Sequence, residues 1–234
     1  MRHWIGLLFI LAVPAYAAEP QLSPFDNHYE MEWSRFSIGD GQITLTPTAE
    51  KNCYRYESKT SLVGLVRQIV GEPHEVSLFC IRKGVIRTSH YEYAIKSASE
   101  ENYTMDFDWT KHSVRTQKNG NTTVRKLPDI AYDRFVLREV VRQWLRSKAG
   151  KLKPGAELSF KMMDDDSVND YRFSFIGEET VDTPAGSFKA LRVDRINNPN
   201  KILRAWIAPE RDYTVVVLEQ IRNGKRDFRL RLAP

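Results

Sequence analysis

The sequence predicts a mainly β fold: a single curled antiparallel sheet or half-open β-barrel with one amphipathic α-helix inserted as a cover. Three observations predict it. Apolar and charged residues alternate with period two through most of the chain. Turn signals punctuate the alternating runs at short intervals. One segment alone switches to a long helical periodicity.

Taken in order, the first element lies outside that fold. Met1-Arg2-His3 is a basic head, Trp4 to Val13 an apolar run, and Pro14 with Ala15-Tyr16-Ala17 supplies the small residues of a cleavage site. Residues 1–17 therefore read as a secretory signal peptide cut before Ala18, and residues 18–234 as one exported, periplasmic domain. The apolar run is shorter than the roughly 20 residues a transmembrane helix needs. No later stretch is more apolar, so the mature chain is expected to be soluble and not membrane-spanning. No Cys follows the cleavage site to carry an acyl anchor.

From Tyr29 onward, strand follows strand. Alternation is plain in Cys53-Tyr54-Arg55-Tyr56-Glu57, Tyr91-Glu92-Tyr93-Ala94-Ile95 and Met105-Asp106-Phe107-Asp108-Trp109. It returns in Tyr171-Arg172-Phe173-Ser174-Phe175 and Ala190-Leu191-Arg192-Val193-Asp194. One face of each run is apolar and the other charged, as in an antiparallel sheet with one wet face. Gly39-Asp40-Gly41, Lys83-Gly84, Asn119-Gly120, Pro184-Ala185-Gly186 and Asn223-Gly224 supply turns. About a dozen short strands are expected. Such a sheet cannot stay flat, and curling buries its apolar face.

The helical segment falls near residues 131–148. Val136, Leu137, Val140, Val141, Trp144 and Leu145 form its apolar side, while Arg134, Arg138, Arg142 and Arg146 make a basic stripe read as a solvated face. Asp129 or Asp133 caps the start and Gly150 ends it. A weaker candidate, Leu62 to Val70, reads either as a short helix or as a loop with an apolar face.

Cys53 and Cys80 fall in neighbouring predicted strands, which in an oxidising compartment suggests one disulfide; two buried free thiols are the alternative. Neither has a Cys or His at ligand spacing, so no metal is expected. The net charge of +5 comes from 35 basic and 30 acidic residues that are interspersed, which argues against a nucleic-acid partner. No nucleophile elbow, zinc-protease helix, phosphate loop or dinucleotide motif is present, and no cofactor is implied. His28, His74, His90 and His112 stand singly. The Asp164-Asp165-Asp166 run lacks the spacing of a calcium loop and reads as a hairpin tip.

One face collects Tyr54, Tyr56, Tyr91, Tyr93, Phe107, Trp109, Phe173, Phe175 and Trp206. It reads equally as the lining of a pocket for an apolar ligand or as an ordinary core. In the first case Val140, Val141 and Trp144 belong to a gating helix.

The order of three groups of motifs resembles the exported bacterial proteins of domain-of-unknown-function family 3108. The first group is Tyr54-Arg55-Tyr56, Gly64-Leu65, Glu75 to Phe79, Ile86-Arg87 and Tyr91-Glu92-Tyr93. The second is Asp129-Ile130-Ala131-Tyr132-Asp133, and the third is Thr183 to Lys189 with Trp206-Ile207-Ala208-Pro209-Glu210. The resemblance implies no catalytic residues. It implies an architecture similar to the curled sheets of lipoprotein-localisation carriers, which shelter acyl chains beneath a helical lid. The function expected is thus a non-enzymatic periplasmic binding or carrier domain for a lipid-like ligand. A scaffolding factor for an envelope protein partner, with a filled core, is the alternative. An enzyme using Asp106 and Asp108 ranks last.

Overall fold

A computed structural model describes residues 22–96 and 98–234. The signal peptide read over residues 1–17, and its cleavage before Ala18, lie outside these residues. Fifteen strands are described, all in one sheet. The first half comprises β1 (Phe25–Trp33), β2 (Phe36–Pro47), β3 (Cys53–Leu62), β4 (Pro73–Arg82), β5 (Val85–Ile95), β6 (Tyr103–Asp108), β7 (Ser113–Lys118) and β8 (Asn121–Lys126). The second comprises β9 (Ala131–Asp133), β10 (Glu157–Met163), β11 (Val168–Thr183), β12 (Gly186–Arg195), β13 (Lys201–Ala208), β14 (Thr214–Arg222) and β15 (Lys225–Leu232). Each half is a meander of sequential neighbours, and β1 pairs with β15 to join them. All ladders are antiparallel except β9 with β10.

The sheet curls without closing, and β8 and β9 remain its edges. The two ends are joined by side chains instead of a ladder. Arg125 of β8 donates to the carbonyls of Asp164 and Asp165 in the β10–β11 turn, and Lys118 meets the Asp165 carboxylate at 2.8 Å. The Tyr103 hydroxyl donates to Asp164 at 3.0 Å. The acidic run is thus a hairpin tip, and it also holds the seam.

The long helix is shorter than its sequence suggests. Ala131–Asp133 forms β9, and α2 runs over Leu137–Ser147. The reason is Asp133, a fully buried carboxylate that accepts the Phe135 and Val136 amides at 2.8 Å. It also takes the Ser77 and Thr88 hydroxyls, both at 2.7 Å. This one side chain ends the strand, turns the backbone toward the helix and ties both to β4 and β5. Leu137, Val140, Val141 and Leu145 then bury against the concave face of the sheet. Tyr56 stacks on Phe135 at 4.3 Å between ring centroids.

The basic stripe is not a solvated face. Arg142 is only 5% exposed and pairs with Glu139 at 3.0 Å and Asp212 at 2.8 Å. Arg146 meets the same Asp212. Arg134 lies against Glu75 at 3.2 Å and over the Tyr93 ring. These cations point inward because the helix is wrapped by the sheet, so each needs a carboxylate partner.

Cys53 and Cys80 face each other across β3 and β4 and are bonded. Closing a 27-residue span stabilises the fold by about 3–4 kcal/mol in the chain-entropy picture.

Candidate functional site

An apolar cavity of about 660 Å³ is built around the β1–β15 pair. Period-two alternation sends Tyr29, Met31 and Trp33 of β1 to one face. Leu230 and Phe228 of β15 stand opposite Met31 and Trp33. Ile38, Gly41 and Ile43 of β2, and Ser58, Thr60 and Leu62 of β3, continue the wall. Gly39-Asp40-Gly41 is not a turn but part of β2, paired with β3; at Gly39 the chain takes φ +135° and lies so close to β3 that a Cβ would fall 2.0 Å from the Ser61 carbonyl oxygen. Only glycine allows that approach, which accompanies the bulge between Met31 and Glu32.

The cavity has a direction. At its inner end Tyr29, Ile43, Leu230 and Arg138 also border a much smaller void against Phe25, Tyr56 and Arg142. At its mouth sit Trp33 and the short helix α1 (Gly64–Val70). No residue of α1 is buried. Val66, Ile69 and Val70 line the opening, yet Ile69 is 74% exposed, Trp33 56% and the adjacent Leu65 68%. Phe36, at the β1–β2 turn, is exposed as well. Trp33, Phe36, Leu65 and Ile69 thus gather exposed apolar surface around the mouth.

Four charged residues line the cavity: Glu75, Arg138, Arg222 and Asp227. Glu75 is paired with Arg134, and Arg222 with Asp227 at 3.3 Å. Arg138 has no carboxylate within salt-bridge distance among the described residues, and its guanidinium lies over the Phe135 ring at 4.8 Å. The nearby phenols remain neutral. Burial pushes Tyr56 up to about 12 and raises Tyr29 well beyond the usual range. The Tyr29 hydroxyl donates to the Val215 carbonyl.

None of the nine aromatic residues singled out in the sequence lines this cavity. Tyr54, Tyr56, Tyr91, Phe107, Phe173, Phe175 and Trp206 are buried, and Tyr93 and Trp109 are half-buried. Seven of them pack on one another or on neighbouring rings, as in Tyr54 on Phe79, Phe107 on Trp109 and Phe173 on Phe160, and Phe175 and Trp206 are buried in the same core. Their polar atoms are also engaged: Trp206 donates to Glu179 and Trp109 to the Thr88 carbonyl. Val140 and Val141 are core residues and Trp144 is half-buried; of α2, only Arg138 reaches the cavity. The helix at the mouth is α1.

Elsewhere the titratable groups form local pairs. His74 meets Glu57 and His90 meets Asp106, both at 2.7 Å. Asp108 accepts the Thr110 hydroxyl and the Thr110 and Lys111 amides in a turn, which holds its carboxyl well below the usual range. Glu50 lies beside Cys53 and Cys80, but sulfurs bonded to each other offer no thiolate to a metal. Among the described residues no helix is long and apolar enough to cross a membrane.

Residues 28–231 match a family described as protein of unknown function (DUF3108). The chain belongs to this DUF3108 family. Two solved structures are similar to this DUF3108 chain. One is a candidate exported protein with a YmcC-like fold from Bacteroides fragilis, 14% identical, covering 92% of this chain and 96% of that one at a TM-score of 0.41. The other is a DUF1089 family protein from Pseudomonas aeruginosa, 7% identical, covering 90% and 95%, at a TM-score of 0.23. No curated protein matches the sequence.

Proposed function

We propose that this chain is a non-enzymatic binding or carrier domain of the periplasm for an apolar or amphipathic, lipid-like ligand. The observation that carries the reading is the cavity of about 660 Å³, apolar along its walls and open beneath a helix with no buried residue. Its volume falls within the roughly 300–1,000 Å³ of small-molecule sites. The compartment is supported by the export signal read in residues 1–17 and by the Cys53–Cys80 bond, a chemistry of oxidising environments. Gentle extraction and mass spectrometry of the protein, purified from the periplasm without detergent, tests the proposal. A stoichiometric lipid-like molecule is expected. A clean, empty protein from several preparations removes the carrier reading.

A second reading draws on the exposed Trp33, Phe36, Leu65 and Ile69. This rim suits an envelope protein partner that covers the mouth. Crosslinks from these positions to another protein, with no copurifying small molecule, favour that reading. The face from Arg134 to Arg146 is a poor place to look, since Arg134, Arg142 and Arg146 are engaged within the fold.

A further inference from the structure

We infer that the cavity selects a single-chain amphiphile with an anionic head, a fatty carboxylate, bound head-first with its carboxylate on Arg138. The inference rests on the carrier reading and names the ligand class. Its motive is an uncompensated cation. Of the four charged residues in the wall, three already have partners of opposite charge: Glu75 in Arg134, and Arg222 and Asp227 in each other. Arg138 alone among them has none among the described residues, while its guanidinium is steadied against the Phe135 ring. The neighbouring phenols of Tyr29 and Tyr56 are kept protonated by burial and supply no negative charge. Arg138 is half-buried, and a carboxylate that enters the cavity meets there a cation with no competing counter-charge, to which it can form two parallel hydrogen bonds.

Position fixes the orientation. Arg138 stands at the inner end, beside Ile43 and Leu230, where the smaller void begins. From there to the mouth the wall carries Met31, Ile38, Leu62 and Phe228, which suit a hydrocarbon chain. A compact head fits this arrangement, whereas a bulky head would have to pass through the apolar section. The volume suits one chain rather than a multi-chain lipid.

The test is displacement of phenylnaphthylamine, an uncharged fluorescent probe, by laurate and by dodecanol, which share a chain length and differ in head. Laurate is expected to bind about tenfold more tightly than dodecanol, in line with a hydrogen-bonded charge pair. Arg138→Gln should abolish that preference while leaving dodecanol affinity within about twofold, and Arg138→Lys should restore part of it. Because dodecanol binding reports an intact cavity, a misfolded variant is recognised at once. Equal binding of the two amphiphiles by the wild-type protein overturns the inference and leaves the carrier reading standing. Loss of the preference in Arg222→Gln but not Arg138→Gln also overturns it, by moving the head to the mouth. If neither amphiphile binds, the carrier reading falls and this inference with it.

Discussion

Glu57 on β3 illustrates how much one side chain carries. Burial alone raises a carboxyl, but hydrogen bonds from Arg55 and His74, reinforced by the charges of Arg55 and Lys59, outweigh it and hold Glu57 at about 2. A carboxylate with a depressed pKa contributes stability that is present above its ordinary value of 4.5 and is lost as the pH falls toward 2. The urea midpoint of the wild-type protein should therefore fall more steeply over that window than that of Glu57→Gln. Parallel curves would show that these hydrogen bonds add nothing. Individual residues differed in how far the sequence revealed them. Cys53 and Cys80 were legible because alternation placed them in neighbouring strands. Arg142 was misread because a cation opposite an apolar helix face looks solvated; its partner Asp212 lies 70 positions away and has no local signature. The lining of the cavity was hidden for a different reason. Met31 and Ile43 are the same kinds of residue as those of a filled core, and only the distance to the opposite wall distinguishes them.

At the level of elements, α1 is the part whose apolar side chains are least packed, since none of its residues is buried. A segment of seven residues with no buried side chain and no side-chain cap gains little stability from its own hydrogen bonds. Its apolar residues stand exposed at the mouth, so replacing them should cost the fold little. The double variant Ile69→Ser, Val70→Ser is expected to stay within about 0.5 kcal/mol of the wild-type stability. Its uptake of phenylnaphthylamine should nevertheless fall several-fold, as read by fluorescence titration. Unchanged uptake would remove α1 from the site. The periodicity over Leu62 to Val70 pointed to this helix only faintly, since two turns are too few to separate helix from loop. The same weakness blurred the start of α2. Residues 131–133 fit a helical pattern, but the parallel pairing with β10 and the hydrogen bonds to Asp133 decide for strand.

The whole molecule is a sheet held in a curl by its edges. Curling was legible from the number of alternating runs and the single long cover helix. The seam was not, because it depends on backbone carbonyls of Asp164 and Asp165 meeting an arginine some forty positions earlier. Arg125→Ala should free β8 from the β10–β11 turn. The expected cost is about 1–3 kcal/mol. Amide exchange in Asn121–Lys126 should accelerate more than in β1 or β15, and uniform acceleration across the sheet would mean that the seam has no local role. An open edge beside a side-chain latch also leaves room for the curl to widen, which a continuous ladder would forbid.

The pairing of β1 with β15 has a consequence for when the cavity comes into being. Arg231 reaches Glu30 across 201 positions, and Met31 and Trp33 face Leu230 and Phe228. Contacts this remote in sequence form late and make folding slow. A nascent or partly translocated chain lacking β15 has one wall of the cavity missing and nothing to hold β1 in register. The cavity is therefore complete only once β15 has been delivered, so on the carrier reading proposed above its first ligand comes from the compartment where the chain finishes folding.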